Sequence, residues 1–182
     1  RPDSAWAQYR ALDGSVEELA ADHWPGEGWP DAQHGEGYAL TPVVTRSYVQ
    51  WLASGPVSLG KVACLAFRVA GTLVGLTICR IEASKIGRKA RLIHLQSSEP
   101  NVKWLQWMIA ENITLASGLE AESFHCRSSC PAINAALASL GFRRTASEAV
   151  MVSFGELAIP SGPVNMTFLR GDDAMIPSLI AE

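Results

Sequence analysis

The stretch that decides the fold is residues 89–127, KARLIHLQSSEPNVKWLQWMIAENITLASGLEAESFHCR. It opens on a run of alternating and apolar residues, KARLIHLQSS, which reads as a sheet strand. A helix is expected from about Pro100 to Ser117. Val102, Leu105, Ile109, Ile113 and Ala116 recur there at helical spacing, and Gly118 marks the stop. Ser98 is expected as the helix cap, with Glu99 and Pro100 in the first turn. AESFHCR then reads as a second strand. A helix of that length carries the chain back to the end of the sheet it left, so the two strands should run parallel.

Upstream, TRSYVQWLAS (45–54) reads as a helix capped by Thr45, with Tyr48, Trp51 and Leu52 on one face and Gly55 past its end. KVACLAFRV (61–69) and TLVGLTICRIE (72–82) are strands joined by the tight connection Ala70-Gly71. Downstream, SSCPAINAALASLG (128–141) is a helix with Pro131 in its first turn. Its inward residues are Ile133, Leu137 and Leu140, and Gly141 ends it. Two further strand-like runs follow, TASEAVMVSF (145–154) and PVNMTFL (163–169). Antiparallel strands that lead into a parallel crossover pair make an α/β protein with a mixed central sheet and helices on its faces.

The first forty residues have a different texture. DGSVEELAADHW (13–24) offers a short helix, with Ser15 and Glu18 in capping-box spacing. PGEGWPDAQHGEGY is rich in Gly and Pro and reads as irregular. Residues 1–40 are therefore expected to be an extension packed on a main domain at 41–182 through Trp6, Trp24 and Trp29.

Composition narrows the function classes. The chain has 182 residues, 48% of them hydrophobic and 18% charged, which suits one folded core. A net charge of -3 lacks the basic face that nucleic acid requires. The longest apolar run, VAGTLVGLTIC, is too short to span a bilayer. Lys85, Arg88, Lys89 and Arg91 form one basic cluster, expected to be a solvated hairpin tip. Cys64, Cys79, Cys126 and Cys130 show no disulfide framework, so a reducing, cytoplasmic setting is expected. HCRSSC (125–130) invites a metal reading, but His125 and Cys126 are strand neighbours that point to opposite faces, and no partner pair has zinc spacing. No metal is expected. The sequons at Asn112 and Asn165 fall inside a helix and a strand and read as chance matches.

The order of elements and several short motifs resemble the GNAT acyltransferase superfamily. VAGTLVGLTICR resembles that family's second and third strands, with a turn glycine, Gly71, before the Leu73-Val74-Gly75 step. ALASLGFRRT resembles the end of its fourth helix, where Leu140-Gly141-Phe142 leads into the next strand. TRSYVQWL, ARLIHLQSS and MTFLRGDDA are similar to the C-terminal half of bacterial tandem-GNAT proteins, so the resemblance covers about residues 42–174. It implies acyl transfer from an acyl-CoA to a small amine or a sugar, by positioning together with a base and a thiolate acid. It also implies a glycine-rich turn, R/Q-x-x-G-x-G/A, whose backbone N–H groups grip the CoA pyrophosphate at a helix N-terminus.

At that position this chain has Ser97-Ser98-Glu99-Pro100-Asn101-Val102-Lys103-Trp104, with no glycine. Pro100 removes a donor, and Glu99 places a carboxylate where an anion would sit. The family's tyrosine acid corresponds to Leu137, and its asparagine near the helix start corresponds to about Cys130. Acyl-CoA is thus the cofactor that the resemblance implies, and the turn weighs against it. By position, Leu95, Gln96, Ser97, Ser98 and Asn101 are the cofactor-contact candidates.

The remaining polar chemistry centres on two histidines. Period-two alternation places Leu92, His94 and Gln96 on one strand face, and Ile93, Leu95 and Ser97 on the other. His94, with His125 on the adjacent strand, is the candidate base, and the alternative is a hydrogen-bonded core histidine. Cys126 and Cys130 offer a Cys-His nucleophile only if a thiol pKa is lowered. Two functional readings stay open. One is an acyltransferase domain of a larger protein that acts on a small molecule. The other is a non-catalytic GNAT-fold module for structural, substrate-binding or dimerisation roles beside a partner domain or a second copy.

Overall fold

The computed structural model describes residues 7–9, 13–25, 44–54, 60–84, 87–99 and 101–144. In chain order the elements are β1 (Gly14–Leu19), α1 (Arg46–Ser54), β2 (Lys61–Val69), β3 (Thr72–Ser84), β4 (Gly87–Ser97), α2 (Val102–Gly118), β5 (Ala121–Cys126) and α3 (Pro131–Ser139). Short 3₁₀ turns at Ala7–Tyr9 and Ala21–His23 accompany them. The five strands form one sheet in the order β1-β2-β3-β4-β5, antiparallel except for the parallel pair β4 and β5. The α/β mixed sheet and the crossover are as the sequence leads one to expect. The strand-like runs 145–154 and 163–169, Trp6, Trp29, Gly55 and Lys85 lie outside the described residues.

One element differs in kind. Residues 14–19, read as a helix, are the edge strand β1 paired with β2. Val16 packs into the core on one side of the sheet and Leu19 into the core on the other. A helix would put residues three apart on one face, whereas a strand sends them to opposite faces, where each has a core to join. Glu17 and Glu18 then meet Arg68 at 3.2 Å and Lys61 at 3.6 Å on β2, a cross-strand use of what looked like a capping glutamate.

Local chemistry explains the rest. The Tyr48 N–H donates to Thr45 Oγ1 at 3.1 Å, capping α1. Val69 and Thr72 pair across a two-residue turn in which Ala70 has φ 48° and Gly71 φ 80°, the left-handed pair that matches strand twist. α3 ends in a complete Schellman motif: Phe142 N donates to Leu137 O, and Gly141 N to Ala138 O. The Phe142 ring then meets Phe124 edge-on at 6.0 Å.

Two layers of core flank the sheet. α2 and α3 cover one face, with Phe67 and Trp107 packed edge-to-face at 5.1 Å. β3 comes so close to α2 that a Cβ on Gly75 would run into the Met108 thioether. Asn112, buried in α2, donates to Thr77 Oγ1 at 2.9 Å and to Met108 O at 2.8 Å, so its sequon is closed to modification in the folded chain. Val102, expected to face inward, is exposed. α1 and Trp24 cover the opposite face. That side also holds a buried charge cluster, in which Glu82 bridges Arg80 at 2.9 Å and Arg91 at 3.2 Å. No helix among the described residues is long and apolar enough to cross a membrane.

Candidate functional site

β4 and β5 stay paired only as far as Leu92 and Cys126, and beyond that point the strands part. Just there β4 carries a bulge: Cys79 pairs with Leu92 and Ile78 with His94, so Ile93 has no partner across the ladder. The bulge breaks period-two alternation. Leu92 and Leu95 face the α2–α3 core, whereas Ile93 and His94 both turn toward Trp24 and α1. Leu92 therefore does not share a face with His94, as unbroken alternation would have it. One inserted residue shifts every side chain beyond it.

His94 is buried beside the Trp24 ring, with centroids 6.4 Å apart and planes at 62°. Its Nε2 lies 3.4 Å from Gln96 Oε1, at the long end of hydrogen bonding. Where the strands part, a narrow cleft is lined by His94, Leu95, Cys126 and Ile133, among others. It has room for roughly one water molecule. Burial pushes the Cys126 thiol up to about 12, so at neutral pH it is neither a thiolate nucleophile nor a ready metal ligand. Among the described residues no group of His, Cys, Asp and Glu is placed to hold a metal ion.

His125 is not brought beside His94. It sits opposite Arg91, exposed, with Nε2 3.1 Å from Ser123 Oγ. Desolvation, followed by the charges of Lys89 and Arg91, holds its pKa below the ordinary value of 6.5, against a smaller opposing pull from Glu82. The folded chain therefore resists a proton that the unfolded chain accepts. Stability should fall as pH drops below about 6.5 and level off once the folded imidazole is itself protonated. An NMR titration should place the His125 midpoint below 6.5, and His125→Gln should flatten that part of the stability profile; a midpoint at or above the ordinary value contradicts the assignment.

The turn into α2 departs from its expected form. The helix begins at Val102 and its cap is Asn101, not Ser98, so Glu99 and Pro100 precede the helix. Asn101 Oδ1 accepts from Lys103 N at 3.0 Å and Trp104 N at 3.4 Å. Ser98 N donates to Val74 O at 3.0 Å, and Asn101 N to Glu99 O at 2.8 Å. Ser97 Oγ reaches Val74 O and Glu99 O, which ties the turn to β3. A pair of serines followed by Asn resembles a cap in either register, and the asparagine wins because its carboxamide reaches two amides at once. Asn101→Ala should cost about 1 kcal/mol, a fall of roughly 2–4 °C in melting temperature, while Ser98→Ala should cost less.

A pyrophosphate needs free, convergent amides. Here the amides of Ser98, Asn101, Lys103 and Trp104 are engaged within the chain, and Pro100 has none. Leu137, which stands at the family's acid position, is buried core. A pyrophosphate at this turn would have to displace the Asn101 carboxamide from Lys103 N and Trp104 N. Leu95 packs into the core, and Gln96 is engaged with His94, so of the positional candidates only Asn101 and the two serines shape the turn itself.

Comparison with solved structures places the fold. A protein of Thermus thermophilus (TTHA1254) matches with TM-score 0.52 at 8% identity, covering 79% of this chain and 99% of that one. A ribosomal-protein-alanine N-acetyltransferase from Brucella melitensis biovar Abortus 2308 matches with TM-score 0.52 at 15% identity, over 78% and 99% of the two chains. An integron cassette protein from the mobile metagenome of V. cholerae matches with TM-score 0.51 at 14% identity, over 80% and 95%. No family model and no curated protein matches the chain. Identities this low establish the fold and leave the activity to the site.

Proposed function

We propose, with the GNAT fold of this chain as the premise, that the domain is a non-catalytic GNAT-fold module. It works as a ligand-binding or structural unit beside a companion domain or a second copy. The observation that carries this reading is the self-capped α2 N-terminus: Asn101 Oδ1 accepts from the amides of Lys103 and Trp104, two that a pyrophosphate would otherwise meet. The narrow cleft and the buried Leu137 support it from two other directions. The experiment is a sensitive assay of free CoA release from acetyl-CoA with a panel of small amines and amino sugars. Release at the enzyme-free rate is expected, and saturable release with any acceptor contradicts the proposal.

A second reading, acyl transfer to a small amine or a sugar, is favoured by the place of His94. Its imidazole sits at the point where β4 and β5 part, steadied by Gln96, where a base would take an amine proton. Under that reading His94→Gln abolishes any release observed, while Gln96→Ala only weakens it. Release that survives in His94→Gln excludes His94 as the base.

A further inference from the structure

Strand register gathers the basic run read as a solvated hairpin tip into something more specific. Arg88 turns away, donating from Nη1 to Leu119 O at 2.9 Å and pairing with Glu120. Lys89 and Arg91 go to the other face, where register sets two rows across β3, β4 and β5. One row is Glu82, Lys89 and Ser123; the other is Arg80, Arg91 and His125. Side chains opposite one another in such rows share a face and lie within reach of their neighbours. Glu82 sends one oxygen to Arg80 and the other to Arg91. Lys89 is half-buried and forms no ion pair among the described residues. Ser123 and His125 flank it on the exposed edge of the patch, in contact with each other at 3.1 Å.

We propose that Lys89, Ser123 and His125, backed by Arg91, form a binding site for a phosphoryl group of a small molecule. The ammonium supplies a point charge, and the hydroxyl and the imidazole supply directed donors. A phosphoryl group meets them with up to two negative charges and three oxygens spread tetrahedrally, where a carboxylate brings one charge and two oxygens in a plane. The site lies five residues before His94 on β4, about 16 Å away along the strand, so it stands apart from the cleft. It does not depend on whether that cleft turns over an acyl donor. The like-charge repulsion that helps hold both Lys89 and His125 below their ordinary pKa values, after desolvation, is what an incoming anion would relieve. Besides desolvation, those shifts arise among Glu82, Lys89, Arg91 and His125 on the three strands; Arg80 lies opposite Arg91, and on α1 Tyr48 senses Arg80.

The test is an NMR titration of the full chain with inorganic phosphate against sodium chloride of equal ionic strength, which removes general screening. Saturating shifts confined to Lys89, Ser123 and His125 are expected, with the His125 midpoint moving upward. Lys89→Gln should weaken the response about tenfold, the loss of one charged contact. Lys103→Gln, on the exposed start of α2, should leave it unchanged. An absence of saturation, an equal response to acetate, or an unaltered response in Lys89→Gln would each overturn the assignment. A native fold in Lys89→Gln is checked by its melting temperature, and Ser123→Ala with His125→Gln supplies an independent variant.

Discussion

Glu82→Gln should lower stability by about 3–5 kcal/mol, the cost of removing the carboxylate that bridges two buried guanidiniums. The carboxylate lies between two guanidiniums and is itself 5% exposed; Arg80 is fully buried, and Arg91 is 12% exposed. Register puts Arg80 directly opposite Arg91, a like-charge pair that a sheet tolerates only with a counter-charge between. For a chain of this length the loss corresponds to a fall in melting temperature on the order of 10 °C. The same substitution at Glu17, half-exposed and paired with Arg68, should cost no more than about 0.5 kcal/mol. Equal effects at the two sites would mean that the buried cluster contributes nothing specific. Replacing Arg80, Glu82 and Arg91 together with apolar residues should be far milder than Glu82→Gln alone, because no charge is then stranded.

The second large effect is expected at Trp24. Its ring is 1% exposed, its indole N–H donates to Val44 O at 3.1 Å, and its carbonyl accepts from Arg46 Nε at 3.0 Å. It thus fixes the entry to α1 while covering His94. Trp24→Ala should cost about 3–5 kcal/mol through lost burial and the cavity left behind. Trp24→Phe should keep much of the packing and lose the indole hydrogen bond. His94 should also become open to imidazole-modifying reagents in Trp24→Ala while remaining protected in the parent. Protection that persists in the variant would show that Trp24 does not roof the histidine.

Much of the architecture is legible in the residues because its signals are local. The Ala70-Gly71 turn, the Thr45 cap, Pro131 at the start of α3 and the Gly141-Phe142 stop are each fixed by a few neighbouring atoms. What misleads is what the tertiary fold overrides. Residues 14–19 carry a helix-like cap, yet the open edge of β2 and two cores on opposite faces favour a strand. The bulge at Ile93 leaves no mark in the apolar run around it, so the faces of Leu92 and His94 are misread from spacing alone. The candidate site suffers most from this. The absent glycines are plain in the sequence, but the engagement of the Lys103 and Trp104 amides by Asn101 is a matter of three-residue register, which helix starts seldom reveal. The cross-strand rows of Lys89, Arg91, Ser123 and His125 follow from pairings between strands more than thirty residues apart, beyond the reach of local patterns.

If the α2 N-terminus is closed to an acyl donor by its own cap, acetyl-CoA should not bind. The most direct measurement is calorimetric titration of the full chain with acetyl-CoA, backed by a melting curve at about 1 mM ligand. A donor bound with a dissociation constant near 10 μM would add about 2.7 kcal/mol at that concentration and raise the melting temperature by roughly 5–11 °C. No heat of binding is predicted, and a shift within about 1 °C, small beside the several degrees that real binding would give. Saturable binding of acetyl-CoA that free CoA competes away would show that the cap leaves the turn open.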